Sequence, residues 1–339
     1  MNRTRAIAKY TAIRLGSIPI MLWLISTMVF MLLRIAPGDP VDAILGNRAD
    51  DLARNAMRER LGLNQSIFKQ YLSFLNDLIH GNLGNALNTQ EPVSEIISKA
   101  LPASIELGIT ALLIASIVGF VIGLSGTTRP ESKTDLAGRL YGIGTYALPP
   151  FWAAMMIQLF FSVILGWLPI GGRLPPGSSI PEGSGYLILD SIKNGNLLLL
   201  QNALRHLLLP AGTLGILLSG VFSRSLRINL NKTLQMDHIE AAKSRGLNKS
   251  RILFFHALPN AMLPVLTITG LTVASLIGGA LLIEVTFSWP GIALKLQEAI
   301  NQRDYPIVQG IVVVISMLVV FISVIVDLLI AIIDPRVSY

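Results

Sequence analysis

The strongest constraint on this chain is a series of apolar segments, most of them long enough to cross a bilayer. A hydrocarbon core of ~30 Å needs about 20 apolar residues in a helix. Leu15–Leu33 meets that length with no charge between Arg14 and Arg34. Leu107–Gly126 and Leu140–Leu165 follow, then the shorter Leu207–Phe222, which carries Pro210, Gly212, Gly215 and Gly220. Ala261–Ile283 and Ile307–Ile333 bring the series to six. Composition agrees, with 52% hydrophobic and only 14% charged residues, where soluble domains carry about 25% charged. Backbone groups in lipid must be satisfied within the segment, so the expected fold class is an all-α polytopic membrane protein with six transmembrane helices. The chain has no cysteine, which excludes disulfides, thiolate metal sites and cysteine nucleophiles. The first apolar stretch is too long for a signal-peptide core and is expected to remain as an anchor.

Charge sets the orientation. Arg3, Arg5, Lys9 and Arg14 precede the first span, and basic residues recur in the 127–139 loop, the 223–260 loop and at Arg336. Those four regions hold fifteen basic residues against five acids, whereas the opposite side carries twelve against fourteen. The positive-inside rule then places both termini and the 223–260 loop in the cytoplasm. The formal net charge of +7 is accounted for by topology, so no nucleic-acid partner is expected; membrane lipid is.

Between the first two spans, Ile67, Tyr71, Phe74, Leu75 and Leu78 recur at helical spacing before Gly81, and Val93, Ile96, Ile97, Ala100 and Leu101 do the same. Both predict amphipathic helices on the outer face, the second leading into the second span. The 166–206 segment, with Gly171-Gly172 and Pro175-Pro176, predicts an irregular external loop. Pro210 and Pro264 interrupt spans, which is tolerable where protein or a water-lined path satisfies the freed backbone. They are therefore candidates for the bundle interior and, with Gln158 in the third span, for a translocation pathway; ordinary kinks are the alternative for the prolines, and a link between two helices the alternative for Gln158.

The 223–260 loop holds the most informative polar run, Asp237-His238-Ile239-Glu240-Ala241-Ala242-Lys243-Ser244-Arg245-Gly246, followed by Leu258-Pro259. Glu-Ala-Ala favours helix, and Gly246 is suited to the left-handed conformation that stops one. This run resembles the coupling loop of permease subunits of ATP-binding-cassette importers, with Glu240, Ala241, Ala242, Gly246, Leu258 and Pro259 at the family's spacing and His256 where the family usually has Ile. Arg34-Ile35-Ala36-Pro37-Gly38-Asp39-Pro40, Leu61-Gly62-Leu63 with Gln70-Tyr71-Leu72, and Gly81-Asn82-Leu83-Gly84 extend the likeness. Phe287-Ser288-Trp289-Pro290-Gly291, Asp304-Tyr305-Pro306-Ile307-Val308-Gln309-Gly310 and Asp334-Pro335-Arg336 continue it to the end. Together they resemble the first permease of the dipeptide, oligopeptide and nickel group.

The resemblance implies a type I importer core at 101–333 containing the coupling loop, preceded by an N-terminal span and extracytoplasmic helical region at 1–100. It implies coupling to ATPase subunits through Asp237, Glu240, Ala241, Ala242, Lys243, Arg245, Gly246, Leu258 and Pro259. It also implies three kinds of partner: a second homologous permease chain, two ATP-binding-cassette ATPase subunits, and an extracytoplasmic substrate-binding protein. The chain has no Gly-x4-Gly-Lys-Ser/Thr loop. It is therefore expected to bind no cofactor and to be no enzyme, with ATP and Mg held by the partner ATPases. Di- or oligopeptides lead the substrate classes implied, ahead of nickel, glutathione-like peptides or glycosides; a stand-alone secondary transporter or channel is the alternative of another class.

Other chemistries fare worse. Gly123-Leu124-Ser125-Gly126 looks like the nucleophile motif of intramembrane serine proteases. A serine nucleophile needs a base within reach, and His206 falls at the opposite end of its span, so small-residue packing is the better account. His80, His206, His238 and His256 lack paired ligand spacing, and no metal is expected. Asp327, inside the last span, predicts an inward-pointing partner such as Arg224 or Arg227. Trp289 and Tyr305 are expected at the membrane interface.

Overall fold

The computed structural model describes residues 3–35, 40–45, 50–128, 132–178 and 183–333. Ala36-Pro37-Gly38-Asp39 and the closing Asp334-Pro335-Arg336 lie outside the described residues. Among the described residues the architecture is helical throughout, with one isolated β-bridge, Asn85–Pro92.

The first span is α1 (Arg3–Ile35). Short helices α2 (Pro40–Leu45) and α3 (Asp51–Arg60) follow, then α4 (Ile67–Ile79). The periodicity that predicted α4 presents its apolar side to α1: Phe30 meets the rings of Tyr71 and Phe74 at 5.3 and 5.5 Å. The Arg34 guanidinium donates to Gln70 Oε1 at 3.1 Å. The second amphipathic stretch opens α5 (Val93–Thr128), which runs unbroken into the second span.

Helix α5 shows how the chain sorts its faces. Ala103, Leu107, Ala111 and Ala115 are buried, while Ile109, Leu113, Ile117 and Val121 point away from the bundle. Small residues inward let backbones approach, and large apolar ones outward suit lipid. The main partner is α9 (Leu197–Leu234), 38 residues and about 57 Å long at 1.5 Å per residue. A Cβ on Gly119 would lie 2.5 Å from the Phe222 Cβ, and one on Gly123 would lie 2.9 Å from the Ser223 oxygen. The glycines of the Gly123-Leu124-Ser125-Gly126 run thus serve close helix packing, and Ser125 Oγ donates to its own helix at Ile122 O.

The third span is not one straight helix. It divides into α6 (Lys133–Ala147) and α7 (Pro150–Gln158), the latter ending in a π-helical turn at Leu159–Ile164, and the pieces meet at 103°. Leu148 and Pro149 are extended, with ψ of 124° and 129°, because each precedes a proline whose ring disfavours helical geometry there. Among the described residues five helices are long and apolar enough to cross a membrane, six if this bent pair counts as one span. The 166–206 loop is shorter than expected, since α8 (Leu187–Lys193) and the start of α9 occupy its second half.

After α9 the chain forms α10 (Asp237–Ser244), the single turn α11 (Lys249–Arg251) with a π-helical continuation through Ala257, and α12 (Leu258–Thr286). Helices α13 (Ile292–Asn301) and α14 (Tyr305–Ile333) complete the fold. The central core joins Ala103, Leu107 and Ala111 of α5 with Leu207 and Leu214 of α9 and Leu276, Ala280 and Ile283 of α12.

Candidate functional site

Helix α10 stands at the end of the bundle where the long α9 overruns the apolar zone. It is seated by two residues three apart on one face: Ile239 is fully buried and Ala242 nearly so. They pack with Leu230 of α9 and with Ile252, Ala257 and Ala261 on the return to α12. Full burial of an isoleucine side chain stabilises such a seat by about 1.5–3 kcal/mol. The seat therefore ties α10 to both α9 and α12.

The C-terminus of α10 is closed by a Schellman motif. Gly246 N–H donates to Lys243 O at 2.9 Å and Leu247 N–H to Ala242 O at 3.3 Å, while Leu247 packs against the same apolar cluster. Gly246 has φ +72°, the left-handed conformation its position demands. The rest of the surface is open. Asp237, Glu240, Ala241, Lys243 and Arg245 are exposed, and their side chains have no hydrogen-bond or ion-pair partner among the described residues. Glu240 does not cap the helix locally, because it lies one turn in and the N-cap, Met236, makes no side-chain bond. Leu258 and Pro259 start α12, with proline in the first turn where its missing N–H costs nothing. His256 is half-buried in the π-helical turn, beside the exposed Phe254 and Phe255.

The candidate pathway residues divide. Gln158 joins elements: its amide donates to Ile170 O at 2.8 Å and Thr286 O at 3.2 Å, pinning α7 to the loop that follows its π-helical turn and to α12. Pro210 is buried inside α9, but Pro264 is exposed on α12, contrary to an interior position within this chain. The partner expected for Asp327 is also corrected. Arg14 of α1 reaches it at 2.8 Å, while Arg227 pairs with buried Asp135 at 2.8 Å and so clamps α6 to α9. Trp289 is not at the interface but 2% exposed, its Nε1 donating to Ala103 O.

Hydropathy passed over a polar network at the other end of the bundle. Glu284, fully buried, accepts from Ser104 Oγ and from the Ala293 and Leu294 N–H groups at the start of α13. Asp304 caps α14: its carboxylate accepts from Leu87 N at 2.7 Å and Ile307 N at 3.3 Å. Burial nevertheless pushes the Asp304 carboxyl above its ordinary value. Asp190 moves the opposite way, held down by the Ser184 hydroxyl. Arg173 and Glu106 form a buried ion pair in the same region, and His206 bonds Gly171 O at 3.0 Å.

The fold is thus a bundle of apolar helices with a small polar helix mounted on its projecting end. Residues 111–339 match the family described as binding-protein-dependent transport system inner membrane component, and residues 7–108 match its N-terminal counterpart. The chain belongs to this family and is a multi-pass inner-membrane permease component. It is 36% identical to the di/tripeptide transport system permease protein DppB of Pseudomonas aeruginosa, over 97% of this chain and 98% of that one. It is 37% identical to the dipeptide transport system permease protein DppB of Alkalihalophilus pseudofirmus, over 95% and 96%. The oligopeptide transport system permease protein AppB of Bacillus subtilis is 33% identical over 96% and 97%. A solved structure of the MetNI methionine ABC transporter in inward-facing conformations shares the fold, with a TM-score of 0.52 at 13% identity over 70% of this chain and 96% of that one.

Proposed function

We propose that this chain is one half of the translocation pathway of an ATP-driven importer for di- and oligopeptides, and that α10 is its coupling element. The observation that carries the proposal is the construction of α10. One face, Ile239 and Ala242, is fixed to the ends of α9 and α12, and the other offers Asp237, Glu240, Ala241, Lys243 and Arg245 without a side-chain partner among the described residues. A force applied to that face reaches two spans directly. Two acids in the first turn and two cations at the last favour the helix's own dipole by only about 0.3–1 kcal/mol each, so their charges remain available to a docking surface. In this reading ATP and Mg are held by two separate ATPase subunits, and the short Ala241 lets their surface approach closely. Leu258 and Pro259 set where the coupled helix begins. A second homologous permease completes the pathway, and Pro264 on the exposed face of α12 is then available to it. An extracytoplasmic binding protein delivers substrate to the side opposite α10, and both termini are cytoplasmic. Residues 1–100 form an accessory N-terminal region on the permease domain at 101–333. The substrate class rests on the named relatives.

The test is purification and reconstitution. The complex should contain one copy of this chain, one homologous membrane chain and two ATPase subunits, and with its binding protein should accumulate a dipeptide only when ATP is supplied. Dipeptide uptake by this chain alone, without ATP, would return the stand-alone carrier as the better account.

A further inference from the structure

The end of the bundle opposite α10 holds a cavity of about 470 Å³, walled by the start of α5, by α13 and by the loop carrying Arg173. Its volume falls in the range of small-ligand sites, and both signs of charge line it. Arg173 is the buried member, 5% exposed. Its Nη2 donates to Glu106 Oε2 and Gly185 O, and its ring-facing side lies 5.6 Å from the Trp289 ring centroid. Glu106 spends its other oxygen on the Ile188 N–H. Glu106 thus balances the guanidinium's charge, while the Arg173 Nε–H is buried without a partner among the described residues, an unmet donor that carries a desolvation cost.

The remaining charges sit in exchangeable pairs. Lys99 meets Glu91 at 2.7 Å and Glu95 at 2.9 Å, and Lys295 meets Glu298 at 2.7 Å, all five side chains being at least one-third exposed. Exposed pairs of this kind contribute little, so either can open to a competing charged group at small cost.

We propose that this cavity is a transient acceptor site for the zwitterion of a short peptide on its way into the pathway. Arg173 and Lys295 take the terminal carboxylate, and Glu298 and Glu91 take the terminal ammonium. A guanidinium holds a carboxylate in fixed geometry, and Glu106 already holds this guanidinium in place. The site faces outward in the orientation proposed above, where a binding protein would release its ligand. The inference rests on the peptide reading of the substrate.

The experiment is reconstituted uptake by the full complex with one unaltered binding protein, comparing dialanine, dialanine amide and N-acetyl-dialanine. Because the binding protein is constant, a change in preference between these probes reports on this chain. Arg173→Gln should lower the acid-over-amide preference about tenfold in KM, and Lys295→Gln should lower it about threefold. Glu91→Gln with Glu298→Gln should reduce discrimination against the acetylated peptide while leaving the acid-over-amide preference intact. If Arg173→Gln fails to assemble, the exposed Lys295 and Glu298 variants decide the matter. Wild-type uptake of dialanine with preferences unchanged in the variants overturns the site and leaves the peptide reading standing. A wild-type complex that imports no peptide overturns both. Weakened docking of the binding protein with unchanged preferences also overturns it, assigning the charges to protein contact.

Discussion

Replacing Gly246 by valine isolates the backbone geometry of α10 from everything else it does. A Cβ at this position would meet no atom beyond its chain neighbours within 4 Å among the described residues, so the cost in the isolated chain is conformational rather than steric. A residue with a Cβ at φ +72° loses roughly 1–2 kcal/mol, and a β-branched residue falls at the upper end. Relaxing φ breaks the bonds from Gly246 N–H to Lys243 O and from Leu247 N–H to Ala242 O, and withdraws Leu247 from the apolar seat. Since 1.4 kcal/mol is about a factor of ten in an equilibrium, about 2 kcal/mol shifts the population of the native loop roughly thirtyfold. Gly246→Val is expected to insert in the membrane but to lose most ATP-coupled uptake, with lower yield of bound ATPase subunits. Gly246→Ala should be intermediate, and Gly246→Asn mildest, because asparagine tolerates the left-handed region. The assay is reconstituted uptake with ATPase activity and complex yield for the three variants. Full coupling by Gly246→Val would refute the reasoning. Asparagine as damaging as valine would also refute it, pointing to a partner that needs the empty space.

Other outcomes follow from the same structure. On this cysteine-free chain, Asn231→Cys should label only from the cytoplasmic side and Asn82→Cys only from outside; the reverse at either site would overturn the orientation. Glu284→Ala should cost about 2–4 kcal/mol in thermal stability by leaving the Ala293 and Leu294 N–H groups buried and unpaired, and a loss under 1 kcal/mol would mean that water replaces the carboxylate. Asp304 titrates above its ordinary 3.8 in the folded chain. The unfolded chain therefore ionises first, and the stability Asp304 contributes is full below 3.8 and is lost as pH rises through the folded value. Thermal melts of wild type should fall relative to Asp304→Asn across that window; a parallel pair of curves would contradict the shift.

Much of this was legible in the sequence, for identifiable reasons. Spans are written as uninterrupted apolar length, and α4 and the head of α5 as helical periodicity. The end of α10 is written as a glycine at a helix stop, where local backbone chemistry alone fixes the answer. What depends on tertiary pairing was not legible. Asp327 joins Arg14 rather than Arg227 because α14 packs on α1, and Asp135 already holds Arg227. Trp289 is core because the turn before α13 folds back onto Ala103. The break in the third span was present as Leu148-Pro149-Pro150, but average hydropathy across 140–165 concealed it. Glu284 escaped notice because the apolar run was closed at Ile283, one residue before it. The buried pair of Arg173 and Glu106 spans 67 positions, and no local pattern announces it.

The central claim is that the exposed face of α10 is covered by a separate ATPase subunit. Ala241, exposed between Glu240 and the buried Ala242, can be replaced by cysteine as the chain's sole thiol without disturbing the seat. Its rate of maleimide labelling should then be measured in the membrane chain alone and in the assembled complex. The account predicts rapid labelling in the chain alone, with at least tenfold protection in the complex and a crosslink to an ATPase subunit. Equal labelling in the two states, with no crosslink, would contradict it.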